Sequence, residues 1–250
     1  MDVLTIGLLA AAGFAAGAVN AAAGGGSLIT FPALVAAGYA PLTANVTNSI
    51  AVLPGYVGGS LAYRGELKGQ RRRIRALATT SALGAAGGAA LLLITPASVF
   101  EAVVPWLILA ACALLAVQPR AAEVAEHHRD RPAAGAVLHA VLLLAAIYGG
   151  YFGAGLGIMF IAILAVFLDD DIQRLNALKG LLSLVVAIIA AVGFVLFGPV
   201  AWSAALIIGA TCLLGGWLGV GAVRRLPATA LRWTIVVYGV LAAIVLMLDR

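Results

Sequence analysis

Six stretches of this chain contain no Asp, Glu, Lys or Arg: residues 3–63, 76–100, 102–119, 132–168, 180–223 and 233–248. The surface of a water-soluble fold needs charged side chains at far shorter intervals. A lipid bilayer instead demands uncharged runs, at about 20 apolar residues for each helical crossing. The six runs hold roughly eight to ten membrane segments and leave almost nothing for a soluble domain. With 64% apolar and 10% charged residues in a chain of 250, a soluble enzyme and a receptor with a large head are both excluded.

Asp2 is acidic and apolar sequence continues to Tyr63, so the first segment is expected to stay in the membrane and not be cleaved as a signal peptide. The net charge of +5 comes from basic residues in short loops beside apolar segments. Such residues record membrane orientation, and no nucleic-acid partner is expected. Cys112 and Cys212 lie inside apolar runs, where a thiol behaves as a small hydrophobe, so neither a disulfide nor a metal site is expected.

A shift of 131 positions aligns Gly24 with Gly155, Gly26 with Gly157, Asn45 with Asn176, Thr80 with Thr211, Gly84 with Gly215, Gly88 with Gly219 and Pro96 with Pro227, without a gap. Polar and helix-breaking residues that recur in one register mark an internal duplication. Each half reads as five helical segments: 3–23, 27–38, 43–63, 76–94 and 100–118, answered by 135–153, 158–168, 175–197, 200–222 and 229–248. The chain divides into repeat 1 (1–118), a linker (119–132) and repeat 2 (133–250).

An odd number of segments per half implies opposite orientation, and the charges agree. The loop 64–75 carries Arg64, Lys68, Arg71, Arg72, Arg73 and Arg75, whereas its counterpart 195–206 carries no charge. Arg224, Arg225 and Arg232 flank 226–230, whose counterpart region has only Glu101, and the neutral turn 38–44 answers 169–175 with Arg174. Positive loops face the cytoplasm. The expected fold is thus an all-α, multi-pass inner-membrane protein of two inverted-topology repeats, with both termini outside and the linker inside. A parallel duplication with unevenly charged loops is the alternative.

Inverted repeats with short, glycine-interrupted segments at matching positions are the sequence signature of secondary transporters, whose site lies at the repeat interface. The interruptions are Gly24-Gly25-Gly26-Ser27 and Gly153-Ala154-Gly155-Leu156-Gly157. The stretches after them are too short to cross comfortably and read as half-helices, re-entrant elements or strongly tilted segments. A helix N-terminus offers unpaired N–H groups and a positive dipole end, and glycine lets an anion approach closely. A small anionic substrate follows, although glycines here also suit tight helix packing.

Asn45, Thr47 and Asn48 occur early in the third segment, with Asn45 and Asn48 on one helix face. Asn176 and Lys179 occupy the same two positions in the second half, and Ser183 follows one turn later. Such groups are costly in lipid and should face the protein interior or a water-filled cavity. Lys179 either pairs with a transported oxyanion or snorkels to the boundary beside Arg174. Asn20 is a further donor or an interhelical hydrogen-bonder, and His139 is a proton relay or a packing histidine. Carboxylates are missing from the segment interiors, which argues against a cation carrier. Phosphate-loop, zinc-protease and nucleophile-elbow patterns are also missing, so no cofactor and no enzymatic chemistry is expected.

The string GFAAGAVNAAAGGGSLITFPALVAAGYAPLTANVTNSIAVLPGYVGGSLAYRGEL (13–67) resembles the first repeat of the TauE/SafE family of bacterial membrane transporters. YGGYFGAGLGIMF (148–160), with Asn176 to Ser183 after it, resembles the second. The likeness spans nearly the whole chain and is specific at Gly24–Gly26, Pro32, Asn48 and Tyr63–Gly65. It implies a cytoplasmic-membrane permease, usually an exporter, for small sulfur-containing anions such as sulfite or organosulfonates. Gly24 to Ser27, Asn45 to Asn48, Gly155 to Gly157 and Asn176 to Lys179 would then surround the substrate. One departure is Val19-Asn20, where the family often carries an acid before the triple glycine.

The expected function is secondary transport of a small oxyanion by alternating access, with the anion held between opposed half-helix N-termini. A passive channel is one alternative, although the Asn-Pro-Ala repeats of a water channel are missing. A non-transporting membrane scaffold is another, and it leaves Lys179 and the paired Asn residues without a reason.

Overall fold

The computed structural model describes residues 1–22, 25–127, 135–223 and 228–248. Gly24, the linker residues 128–132 and the Arg224–Arg225 pair lie outside the described residues. Regular structure among the described residues is entirely helical: α1 Val3–Ala22, α2 Ser27–Ala36, α3 Pro41–Ala51, α4 Leu53–Ala62, α5 Arg71–Ile94, α6 Ala97–His127, α7 Gly135–Tyr151, α8 Leu156–Phe167, α9 Ile172–Phe197, α10 Trp202–Val223 and α11 Ala228–Leu248. Val3–Asn20, Arg71–Ile94, Ala97–Val117 and Ile172–Phe197 are long and apolar enough to cross a bilayer. This is a multi-pass membrane protein.

The ten expected segments become eleven helices, because 43–63 is broken into α3 and α4 at Val52. Pro54 has no N–H to continue the ladder and its ring crowds the carbonyl one turn back. The backbone tightens in response, Gly55 N–H donating to Val52 O over three residues. Val185 stands at the register position of Pro54, so the counterpart α9 runs on unbroken. Helix α6 also continues to His127, beyond the segment end expected near residue 118. The ten residues of α2 and twelve of α8 reach about 15 and 18 Å, against about 30 Å of hydrocarbon. Both are half-length helices, as their sequences predict.

The most extensive helix pair is α1 with α10, followed by α5 with α7. In the register of the duplication these are one contact seen twice, α1 matching α7 and α10 matching α5. The contacts of α2 with α11 and of α8 with α6 form a second such pair. Glycine sets the two closest approaches. A Cβ at Gly17 would collide with the Cys212 carbonyl and one at Gly215 with the Phe14 carbonyl, while one at Gly88 would collide with the Ile147 carbonyl. Small residues that let backbones touch are the usual basis of helix association in lipid, where burial of apolar area drives little.

The two ends of the bundle are distinct. At one, Asp170 ahead of α9 pairs with Arg73 Nη1 at 2.5 Å and with Arg174 Nε at 2.8 Å, joining the 64–75 loop to the α8–α9 loop. At the other, Met1 Sδ lies 3.5 Å from both Tyr39 Oη and Ser203 Oγ, and Thr47 Oγ1 accepts from Ala201 N at 3.0 Å. Partial burial pushes the Asp170 carboxyl up, but the Arg73 hydrogen bond, the Asp171 N–H and the two arginine charges together hold it below its ordinary value.

Gly88→Val should destabilise the protein by about 1–3 kcal/mol, whereas Gly87→Val, whose Cβ meets nothing within 4 Å, should be nearly silent. Thermal unfolding of both variants in detergent checks this, and equal losses would contradict the glycine-contact account. The Asp170 ion pairs carry a pH dependence. A depressed carboxylate contributes stability above its unfolded-state value and loses it as pH falls through the folded one. Wild type should therefore melt above Asp170→Asn at neutral pH, and the difference should vanish well below pH ~4.

Candidate functional site

The chain leads into α2 through Gly25 and Gly26. Gly26 N–H donates to Asn20 Oδ1 at 2.8 Å, so the side chain at the end of α1 satisfies an orphan amide of the next helix. A Cβ on Gly26 would collide with the Ala16 carbonyl, which makes it a packing glycine. Asn20 keeps an unpartnered Nδ2. In the second half Gly153 and Gly155 adopt φ +75 and +76, a left-handed backbone that suits glycine, and turn the chain into α8. Tyr148 Oη donates to Ala154 O at 2.6 Å across this turn. Phe31 of α2 and Phe152 ahead of α8 stack edge-on at 5.4 Å, joining the two half-length helices.

Lys179 lies on α9 with only 5% of its surface exposed. Among the described residues it is the one Asp, Glu, Lys, Arg or His that is buried, and it has no hydrogen bond or ion pair. It does not snorkel. With Asn20, Gly55, Tyr56, Gly59, Ser60, Tyr63, Asn176, Ala177 and Gly180 it encloses a cavity of about 20 Å³, room for one water molecule. Ser60 Oγ, like Asn20 Nδ2, is buried without a partner. The lining thus offers the Lys179 ammonium, the Asn20 N–H₂ and the Ser60 hydroxyl as donors, beside the acceptor oxygens of Asn176 and of the hydroxyls, with no carboxylate among its residues. Leaving a buried charge uncompensated costs several kcal/mol.

A second cavity of about 20 Å³ is lined by Ser27, Asn48, Ser49, Val52, Tyr56, Gly149, Phe152, Gly153, Leu156, Ser183, Val186, Ala187 and Ala190. Ser27 and Leu156 are the first residues of α2 and α8, so both half-helix N-termini open here. Asn48 Oδ1 is taken by the Thr30 hydroxyl, and Ser183 Oγ is unpartnered. Tyr56 is common to both cavities. By the 131-residue shift Asn48 and Ser49 answer Lys179 and Gly180, and Val186, Ala187 and Ala190 answer Gly55, Tyr56 and Gly59, whereas Asn20, Ser60, Tyr63, Asn176 and Ala177 have no counterpart in the second lining.

The residues singled out from sequence thus divide. Asn20, Asn176 and Lys179 line the charged cavity, and Ser27, Asn48 and Ser183 the neutral one. Asn45 and Thr47 line neither: Asn45 Nδ2 donates to Tyr151 O at 2.9 Å and Thr47 accepts from Ala201 N. Gly25 faces Ile158 and Leu115, and Gly155 faces Ala111, both apolar surroundings. Gly157 is buried within α8, and Gly26 packs on α1. His139 stands at the basic end, its Nδ1 2.5 Å from Thr80 Oγ1. Tyr56 and Ser60 are not among the residues singled out from sequence, and Tyr63 enters there only through the family resemblance, although their i, i+4, i+7 spacing puts three hydroxyls on one face of a glycine-rich apolar segment.

The chain matches the family described as Sulfite exporter TauE/SafE over residues 9–246. It is 29% identical to the "Probable membrane transporter protein ORF9" of Sinorhizobium sp, with 98% of this chain and 93% of that one aligned. A "Probable membrane transporter protein" of Haemophilus influenzae is 26% identical over 100% of this chain and 96% of its own length. YfcA of Escherichia coli, also a "Probable membrane transporter protein", is 26% identical over 86% and 78%. No solved structure matches the chain. With the match running over nearly the whole chain, this protein belongs to the TauE/SafE family of membrane transporters.

Proposed function

We propose that the protein is a secondary transporter, working as an exporter, for small sulfur-containing oxyanions such as sulfite or organosulfonates across the cytoplasmic membrane. The observation that carries this reading is the buried ammonium of Lys179 in a lining that holds no carboxylate. That charge favours an anion, and the family's description supplies the sulfur class. Asn20, Ser60 and Asn176 would hold the oxyanion with Lys179, and the half-helix N-termini of α2 and α8 would line its path through the neutral cavity.

Alternating access is the mechanism we infer, between two inverted-topology repeats joined by a cytoplasmic linker at 119–132. Reciprocal packing of α1 on α10 and α7 on α5 supports a two-fold relation. The end contacts favour inversion. The 64–75 and 169–174 loops meet through Arg73 and Asp170, and residues 1, 39 and 203 meet one another, which supports matching loops of the two halves at opposite ends. A channel fits less well, since each cavity admits about one water and a conducting pore needs a continuous path.

Uptake of labelled sulfite, a sulfonate and sulfate into proteoliposomes tests the proposal directly. Saturable, gradient-sensitive sulfite flux is expected, and loss of the flux in Lys179→Met. Truncating one partner of a buried charge pair weakens binding by about thirtyfold or more. The empty Lys179→Met protein should meanwhile be no less stable than wild type, because an uncompensated charge has gone. Linear flux would indicate a channel, and no flux of any anion would overturn the reading. Topology has its own test: Lys68→Cys and Pro199→Cys should react with an impermeant thiol reagent from opposite sides, and labelling of both from one side would defeat the inverted arrangement.

A further inference from the structure

A further pocket lies away from both cavities. At the basic end of the bundle, Gly69, Gln70, Arg72, Arg73, Ala76 and Leu77 around the start of α5 face Leu138 and His139 of α7 and Arg174 of α9 across a pocket of about 480 Å³. Asp170 occupies one side of Arg73 and of Arg174, so the carboxylate is spent on holding two guanidinium groups while Arg72 stays free. Buried Gln70 accepts from Arg73 Nη1 at 3.3 Å and helps fix it. The three charged residues of the lining itself are all arginines, with the Asp169–Asp171 carboxylates beside it and only Asp170 paired to them.

This pocket does not lead to Lys179. Leu77, Leu138, Leu142, Leu175 and Leu178 pack into one buried cluster behind it, and Lys179 sits on the other flank of α9, against α4. An anion held here stays at the surface. The lower wall is apolar, through Ala76, Leu77 and Leu138, and exposed Val137 continues that wall along α7. A charged rim above an apolar wall, where spanning helices leave the hydrocarbon, fits a ligand with the same two-part chemistry.

We infer that the α5–α7–α9 pocket binds the phosphate headgroup of an anionic phospholipid, with Arg72, Arg73 and Arg174 on the phosphate and an acyl chain along Ala76, Leu77 and Leu138. Basic pockets between spanning helices recognise anionic headgroups in this way. The site is independent of the transport reading and stands if that reading fails. Because Arg73 and Arg174 tie the start of α5 to the α8–α9 loop through Asp170, the lipid bridges the same three helices.

Full-length protein in detergent, titrated with phosphatidylglycerol or phosphatidylcholine and observed by native mass spectrometry, tests this. Phosphatidylglycerol should stay bound at concentrations where phosphatidylcholine does not. Arg72→Gln and Arg174→Gln should each weaken it by about fivefold. Ala76→Phe, at an exposed lining position, should weaken it by filling the pocket without touching a charge. Arg64→Gln and Arg75→Gln remove equal charge outside the lining and should leave binding unchanged. Inorganic phosphate and glycerol 3-phosphate should compete poorly. Displacement by either at the lipid's own concentration would make the occupant a soluble phosphate and overturn the proposal. Equal retention of both lipids, or equal losses in Arg64→Gln and Arg72→Gln, would overturn it too. If Arg174→Gln melts early through loss of its Asp170 contact, Arg72→Gln and Ala76→Phe decide the matter.

Discussion

A helix interrupted inside hydrocarbon frees backbone amides and carbonyls that lipid cannot satisfy, so every interruption must be covered by protein. Each break in this chain meets that demand with a side chain from nearby or across the bundle. Asn20 accepts from Gly26 at the start of α2, Tyr148 donates to Ala154 before α8, and Asn45 takes the Tyr151 carbonyl at the end of α7. The Cys212 thiol approaches the Val52 carbonyl to 4.0 Å at the Pro54 break. These contacts need backbones closer than ordinary side chains allow. Glycine-lined approaches of α1 to α10 and of α5 to α7 provide that closeness, and the two cavities are what remains between helices so held.

Much of the fold is legible in the sequence because the duplication repeats its punctuation. Gly24 answers Gly155, the half-length α2 answers α8, and charge-free runs bound the long helices. The α3–α4 break is less legible. Pro54 stands in plain view, but prolines are tolerated within membrane helices when neighbours satisfy the freed groups, and Pro32 sits inside α2 without ending it. Only packing distinguishes the two. The extension of α6 into the charged linker is hidden for another reason: hydropathy marks where a helix leaves lipid, not where it ends.

The candidate site is half legible. Polar side chains deep in apolar runs are expensive, and that signal finds Asn20, Asn48, Asn176, Lys179 and Ser183. The same signal also finds Asn45 and Thr47, whose Nδ2 and Oγ1 are taken by backbone groups of other elements, while Asn45 Oδ1 is left unpartnered. Sequence gives the cost of a buried amide but not the partner that offsets it, since that partner lies more than a hundred residues away. Tyr56 escapes for the opposite reason. An aromatic ring with one hydroxyl passes as apolar in a segment rich in glycine, and its position in both cavities follows only from the crossing of α4 over α9.

On the duplication read from the sequence, five lining positions recur in both cavities and divergence accounts for the difference in charge. Equal chemistry at each would place two ammonium groups in one low-dielectric interior. One copy retains Asn48, whose amide oxygen receives the Thr30 hydroxyl. The other has Lys179, and the register partner of Thr30 is Ile161, which has no hydroxyl to offer. Tyr56 likewise answers Ala187, so a hydroxylated ring stands where its image has a methyl group. The result is a nearly symmetric scaffold holding a single uncompensated cation to one side. Under the alternating access proposed above, such a scaffold would exchange two arrangements of its halves while keeping one cationic station, and a single ammonium there would favour a single negative charge.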